Sequence, residues 1–313
     1  MKLTTKKTYF ERRTQNVQKV EDAINLLERQ IKECIITEQY SSDAQCNNEK
    51  EIDLYTKLLS GAVIIWCETL IKALFYEHGA FEEEQINELL SKEKSLEQKW
   101  TLALTCAFYK AFSGLPYNYI SPIPTKAMVT GLTTIAQSEK KKFLTLYDLI
   151  ETRLSPAIKV RNKIQHGDWI FAFKEAEYNK DRTTGIRTLI QKPSFDRKST
   201  IIVEEENLLT LRLKRNQFRL IYGLIKDLAV FKRYGQYRGG RSSTPFQSKF
   251  VTRYNQILSN QGLLENSDFS KYRTDLVSSK RRGEQWKGKQ KPQKVFQNLK
   301  KIFLKTIKRL VNK

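Results

Sequence analysis

EIDLYTKLLSGAVIIWCETLIKALFYEH, residues 51–78, decides the fold class. Tyr55, Leu58, Leu59, Ala62, Ile65, Trp66, Thr69 and Ala73 share one helical face, but apolar residues occupy the other faces as well. A helix that is apolar nearly all round belongs in the middle of a bundle. Its longest unbroken apolar run is about seven residues, 61–67, against the roughly 20 that span a bilayer, which argues against an integral membrane protein.

Upstream, Val17, Val20, Ile24, Leu27, Ile31 and Cys34 recur at alternating spacings of 3 and 4. That stripe predicts a helix over residues 11–38 that packs along a partner. The partner is a neighbouring helix of the same chain or the same helix of a second subunit, with the first preferred. Residues 40–50 form a polar break rich in Ser, Asp and Asn. Downstream, helical periodicity covers residues 81–90 and 96–112, the latter opened by Ser95 and Gln98 at capping-box spacing. Residues 114–137 hold three of the seven prolines and read as a long connection. The next helix covers residues 139–154, and Ser155-Pro156 either starts another helix or kinks the same one.

After Gly167 the pattern alternates, predicting two or three short strands at residues 169–178, 185–191 and 200–205. A last core helix is expected over residues 207–234. The fold class is therefore mainly α, with a small β insertion and three parts. These are an N-terminal helix and linker over 1–50, a helical domain over 51–234 with the insertion at about 169–205, and a basic extension over 235–313.

Charge is unevenly placed. The chain has 56 Lys and Arg against 34 Asp and Glu, a net +22. Residues 1–211 carry 30 basic and 29 acidic side chains, whereas residues 212–313 carry 26 and 5. A cationic third of this kind finds its energy minimum against a polyanion, a nucleic acid or an anionic membrane face. Around the basic run 233–253 stand Tyr234, Tyr237 and Phe246, aromatics suited to stacking on bases, with Arg238 and Arg241 between them. Further on, Arg281, Arg282, Lys287, Lys289 and Lys291 read as a nucleic-acid arm. The final stretch has Val295, Phe296, Leu299, Ile302, Phe303, Ile307, Leu310 and Val311 near one helical face with lysines on the others. That pattern also fits an interfacial helix on a membrane surface or a helix docking on an acidic partner.

Several classes of chemistry lack their residues. The N-terminus has no apolar secretory stretch, and Cys34, Cys46, Cys67 and Cys106 show no framework spacing, so a reducing, cytoplasmic setting is expected. Residues 283–290 imitate a P-loop but end in Gln290 where a hydroxyl should bind magnesium, and no buried strand precedes them. Two distant histidines make no zinc centre, and no cofactor is expected.

Of those histidines, His78 follows Glu77 and precedes Gly79 at a helix end, a capping or solvated position. His166 sits differently, in the run Arg161-Asn162-Lys163-Ile164-Gln165-His166-Gly167-Asp168. On an ideal helix Asn162 and His166 share a face, while Arg161 lies about 140° away and must reach around with its long side chain. Together the three groups suit one phosphate: guanidinium on the nonbridging oxygens, amide as orienter, imidazole as proton carrier. This is the minimum kit for cutting RNA without a metal, since the 2′-hydroxyl supplies the nucleophile.

The run Arg161-Asn162-x-x-x-His166-Gly167 resembles the RNxxxH motif of the HEPN (higher eukaryotes and prokaryotes nucleotide-binding) superfamily. The resemblance is tight over about ten residues and loose over about 51–234. It implies a bundle of four or five helices, a homodimer with facing motifs, and metal-independent endoribonuclease activity in a toxin, abortive-infection or antiviral-defence effector. Arg161 and His166 would be the catalytic pair, Asn162 the polar residue after the arginine, and Glu68 the acidic residue on an earlier helix that holds it. Glu68 and Lys72 are also at i, i+4 spacing, so an ordinary intrahelical pair is the other reading. Toxins of this family often carry a tyrosine two residues after the histidine; Asp168 stands there, which puts modification by an antitoxin in doubt. RNA, a second subunit and an antitoxin or defence-operon partner are the expected partners. The alternatives are a non-catalytic nucleic-acid-binding or scaffold protein with the same fold, or a peripheral membrane protein held by its last helix.

Overall fold

A 38-residue helix, α1 (Leu3–Tyr40), about 57 Å long, opens the fold. The computed structural model describes residues 3–40, 48–113, 123–165, 173–174, 177–180, 187–191, 194–195, 206–237 and 244–283, some of them by their backbone alone. α1 packs along α2 (Asn48–Phe75), so the partner of the N-terminal stripe lies in the same chain. Ile24, Ile31 and Ile35 are fully buried there, each contributing about 1.5–3 kcal/mol of transfer free energy. Toward the end of α1 the seam drifts: Ile35 and Ile36 are buried, whereas Cys34 is only half-buried.

α2 is the central element. It packs against α1, α4 (Leu96–Phe112), α6 (Gln137–Gln165) and α7 (Leu208–Tyr237), and its Trp66, Cys67, Ile71, Leu74 and Phe75 are almost wholly buried. By length and composition α2 could also cross a membrane, and 67% of its most apolar 18-residue window is buried inside the fold.

Two lysines close the turn after α2. Gly79 adopts φ 78°, the left-handed conformation that glycine tolerates best. The Lys110 ammonium, on α4, donates to the carbonyls of Gly79 at 2.6 Å and Ala80 at 2.9 Å, and Lys6 on α1 donates to Phe81 at 2.6 Å. Burial holds the Lys6 ammonium below its usual pKa, with Glu82 opposing that shift. α3 (Glu83–Leu89) follows, with the Gln85 side chain accepting from the Glu82 amide. The capping box at Ser95 and Gln98 forms reciprocally at the start of α4.

α5 (Lys126–Gly131) interrupts the long connection, with Thr125 as its N-cap. α6 then starts beside the end of α4: Thr134 donates to the Phe112 carbonyl, and the Phe143 ring lies 5.0 Å from Phe108. It runs without interruption through Pro156. Of the two readings of Ser155-Pro156, a new helix start is thereby corrected to one continuous helix that gives up the hydrogen bond to the Thr152 carbonyl.

Four short strands follow: β1 (Phe173–Lys174) pairs antiparallel with β4 (Ser194–Phe195), and β2 (Glu177–Lys180) with β3 (Arg187–Gln191). The strand expected at 200–205 lies outside the described residues. The class is mainly α.

Residues 207–210 cap α7 reciprocally, Asn207 accepting from the Thr210 amide and Thr210 from the Asn207 amide, each at 3.0 Å. The stretch expected to be a basic extension with a terminal amphipathic helix carries two described helices, α8 (Thr244–Glu265) and α9 (Phe269–Gly283). α8 packs on α7 and brings Phe250 against Phe108 and Phe112. Asn260, buried, donates to the Leu213 carbonyl and accepts from Asn216. At Gly223 a Cβ would lie 2.7 Å from the Arg253 guanidinium, which Asp227 holds against α7. One unit therefore covers Met1–Arg273 and a second covers Thr274–Lys313.

Lys110→Met keeps the buried stem but strips two carbonyls of their charged donor. It is expected to cost about 2–4 kcal/mol, measured as a lowered urea midpoint with unchanged slope.

Candidate functional site

The last turns of α6 carry the motif. Arg161 and Asn162 lie on the helix, which ends at Gln165, one residue before His166. Asn162 is exposed to solvent. The Arg161 side chain and the whole of His166 lie outside the described residues, so no contact among the three is specified.

Glu68 is half-exposed on α2 and forms an ion pair with Lys72, one turn on. Lys99, from the first turn of α4, lies close enough to feel both: burial lowers its pKa, the Lys72 charge lowers it further, and Glu68 opposes the shift. Two ammonium groups and one carboxylate thus gather where α2 meets α4. The intrahelical pair anticipated from the i, i+4 spacing is formed. Lys99 was not foreseen, because nothing local marks a lysine 31 residues away in sequence as a neighbour. Among the described residues no group of three His, Cys, Asp or Glu could hold a metal ion.

His78 is exposed just after α2. Neighbouring Glu77 pairs with Lys226 of α7 at 3.0 Å. The thiols of Cys67 and Cys106 are buried, and burial pushes Cys106 up to about 12 and Cys67 well above its usual pKa. Such thiols pack as small apolar groups.

The basic final third divides into two populations. On α7, Arg212, Arg215 and Arg219 face Glu21, Asn25 and Glu28 of α1. Arg215 donates to Asn25 at 3.2 Å and Glu28 at 3.4 Å, Arg219 pairs with Glu21 at 3.2 Å, and Arg212 with Glu28 at 3.3 Å. Trp66 sits beneath: its indole N–H donates to Glu21 at 3.1 Å, and the guanidinium carbons of Arg215 and Arg219 stand 5.6 and 5.8 Å from its ring. Burial lowers the Lys32 pKa, nearby Arg212 adds to the shift and Glu28 opposes it.

A similar clamp holds the start of α9, where Arg273 donates to Glu38 at 2.6 Å and Glu49 at 3.0 Å. Burial and Glu49 raise the Glu38 pKa, and Arg273 opposes them. These cations neutralise acids from the first half of the chain and are not a free arm. Residues 274–313 are different, with 13 Lys and Arg against two acids. Arg281 and Arg282 fall on the backbone of α9, their side chains outside the described residues, and Lys287, Lys289, Lys291, Arg238 and Arg241 lie wholly outside them.

No family model matches the chain, and no curated protein or solved structure matches it either.

The two central arginines of α7 should respond differently to removal. The Arg215 side chain is 11% exposed and serves three partners and a ring, so Arg215→Ala is expected to cost about 2–4 kcal/mol. Arg219, 53% exposed, should cost under about 1 kcal/mol, and raising the salt should erase most of that difference from wild type. Thermal melts at low and high ionic strength check both.

Proposed function

We propose that the chain is a metal-independent endoribonuclease of the HEPN type, acting as a toxin or antiviral-defence effector. One observation carries the reading: Arg161 and Asn162 of the Arg161-Asn162-x-x-x-His166 run lie in the last turns of a 29-residue helix of a mainly α fold, with Asn162 open to solvent. The four short strands after α6 then form the β insertion of a HEPN-like bundle.

In this reading Arg161 binds the nonbridging oxygens of the scissile phosphate and offsets the charge that builds on them. His166 takes the proton of the 2′-hydroxyl, whose oxygen attacks phosphorus, or delivers one to the departing 5′-oxygen. The products are a 2′,3′-cyclic phosphate and a 5′-hydroxyl. Asn162 orients the phosphate, and Glu68, on a helix packed against α6, steadies Arg161. The cations of residues 274–313 supply sequence-independent affinity for the RNA backbone.

RNA incubated with the protein in excess EDTA should be cut to cyclic-phosphate ends. His166→Ala should slow cleavage by about 10²–10⁴-fold while leaving the far-ultraviolet circular dichroism unchanged. Cleavage that persists in that variant removes His166 from the mechanism. Binding without cleavage in the wild-type chain instead favours the non-catalytic nucleic-acid-binding reading.

A chain ending at Gly283 lacks ten of the Lys and Arg residues. Its RNA affinity should fall and depend less steeply on salt, by about 0.7 in log–log slope for each phosphate no longer neutralised. An unchanged slope, with binding to anionic vesicles abolished, assigns the tail to a membrane surface.

A further inference from the structure

Tyr9, 44% exposed, is the only exposed aromatic ring among the described residues. The ring is nevertheless held in place. It stacks on Tyr76, the residue after α2, with centroids 5.3 Å apart and planes 28° from parallel. Tyr76 is buried, so one face of Tyr9 is backed by a fixed ring and solvent reaches the other. Arg13, one turn along α1, rests its guanidinium 5.1 Å from the centre of the Tyr76 ring, with its Nε buried and without an acceptor. Neither Arg13 nor the exposed Arg12 pairs with an acid among the described residues. Arg212, Arg215 and Arg219 on α7 differ, since each holds a carboxylate. Residues 1–20 carry six Lys and Arg and a single acid, Glu11, which lies 3.9 Å from Lys7. Of the acids that follow α2, Glu77 pairs with Lys226 and Glu82 acts on Lys6.

We propose that the first turns of α1 bind single-stranded RNA, with an unpaired base stacked on the open face of Tyr9 and the neighbouring phosphates on Arg12 and Arg13. Every base has a π-face, so a ring with one free face accepts any unpaired base, and a guanidinium beside it accepts phosphate oxygens. The two arginines lie three and four residues beyond Tyr9, a rise of about 5 Å, which puts ring and cations on one side of the helix. Stacking on Tyr76 fixes the Tyr9 ring before the base arrives, so less rotamer freedom is lost on binding. A duplex keeps its base faces inside its own stack and offers none to the ring. The net charge of +1 over residues 1–211 hides this cationic start, because acids further along the chain cancel it. The inference rests on RNA as the partner and not on cleavage by His166. Uncut RNA in EDTA would count against the nuclease reading and leave the affinities below unchanged.

A labelled single-stranded 2′-O-methyl RNA of about a dozen nucleotides tests it, because its blocked hydroxyl cannot attack phosphorus and binding is read without cleavage. In fluorescence anisotropy with the full chain, Tyr9→Leu should weaken binding by about 5–150-fold, whereas Tyr9→Phe, which keeps the ring, should bind like wild type. Arg12→Gln should lower the log–log salt slope by about 0.7, and Tyr9→Leu should leave that slope as it is. Duplex RNA should bind Tyr9→Leu and wild type alike. If Tyr9→Leu loses helix by circular dichroism, Arg12→Gln decides, since its exposed side chain supports no packing. Wild-type affinity in folded Tyr9→Leu, an equal loss in Tyr9→Phe, an equal loss for duplex, an unchanged slope in Arg12→Gln, or binding to anionic vesicles without binding to the oligonucleotide overturns the proposal.

Discussion

Burying α2 is the constraint on which the other elements depend. A helix with apolar residues on nearly every face has no side to give to water, so it must be wrapped, and α1, α4, α6 and α7 wrap it. Each wrapping helix is then placed by what it offers that surface. α1 contributes a continuous isoleucine and leucine seam, and Trp100, Leu104 and Phe108 of α4 and Phe218, Ile221 and Ile225 of α7 are buried in the same core. The motif at the end of α6 inherits its position from this packing, because α6 starts beside the end of α4 and packs against α2 along the way.

Electrostatics does a different task at the rim. Trp66 is buried, but its indole N–H needs an acceptor, and Glu21 provides it. A carboxylate held there in turn needs cations, and Arg215 and Arg219 arrive from α7. One buried ring thus ties three helices together through charge. The same logic recurs where Arg273 bridges Glu38 and Glu49. A chain that looks like a neutral body with a cationic third instead spends the first cations of that third on its own acids. Residues 274–313 carry 13 Lys and Arg against two acids in sequence.

Local rules carried far in reading the sequence. The capping box at Ser95 and Gln98, the seam of α1, the apolar surround of α2 and the Glu68–Lys72 pair all follow from spacings within a few residues, and each is present. α8 was missed for a physical reason. Its buried side chains, Phe250, Ile257 and Leu264, recur only every seven residues, and Asn260 fills a core position with a polar group. One apolar residue per two turns is too sparse to read as an amphipathic face, although Ser243-Thr244-Pro245 does have the form of a helix start. Pro156 left two readings open along the chain, since a proline allowed at a helix start can also lie inside a long helix, as it does in α6.

The candidate site divides along the same line. Arg161 and Asn162 lie in the last turns of one helix, as their place in the chain suggested, and His166 falls outside the described residues. Lys99 beside Glu68 and Lys72 was not legible, because it joins residues from two helices about 30 positions apart. By itself the sequence determined the main helices up to α7, which helix is central and where its charge excess lies, since these depend on period, composition and neighbours along the chain. Only the tertiary structure decided which cations are neutralised, that the compact unit extends to Arg273, and which face of α2 remains half-exposed. Those depend on which side chains from distant segments are brought within a few ångströms, and spacing along one helix carries no record of that.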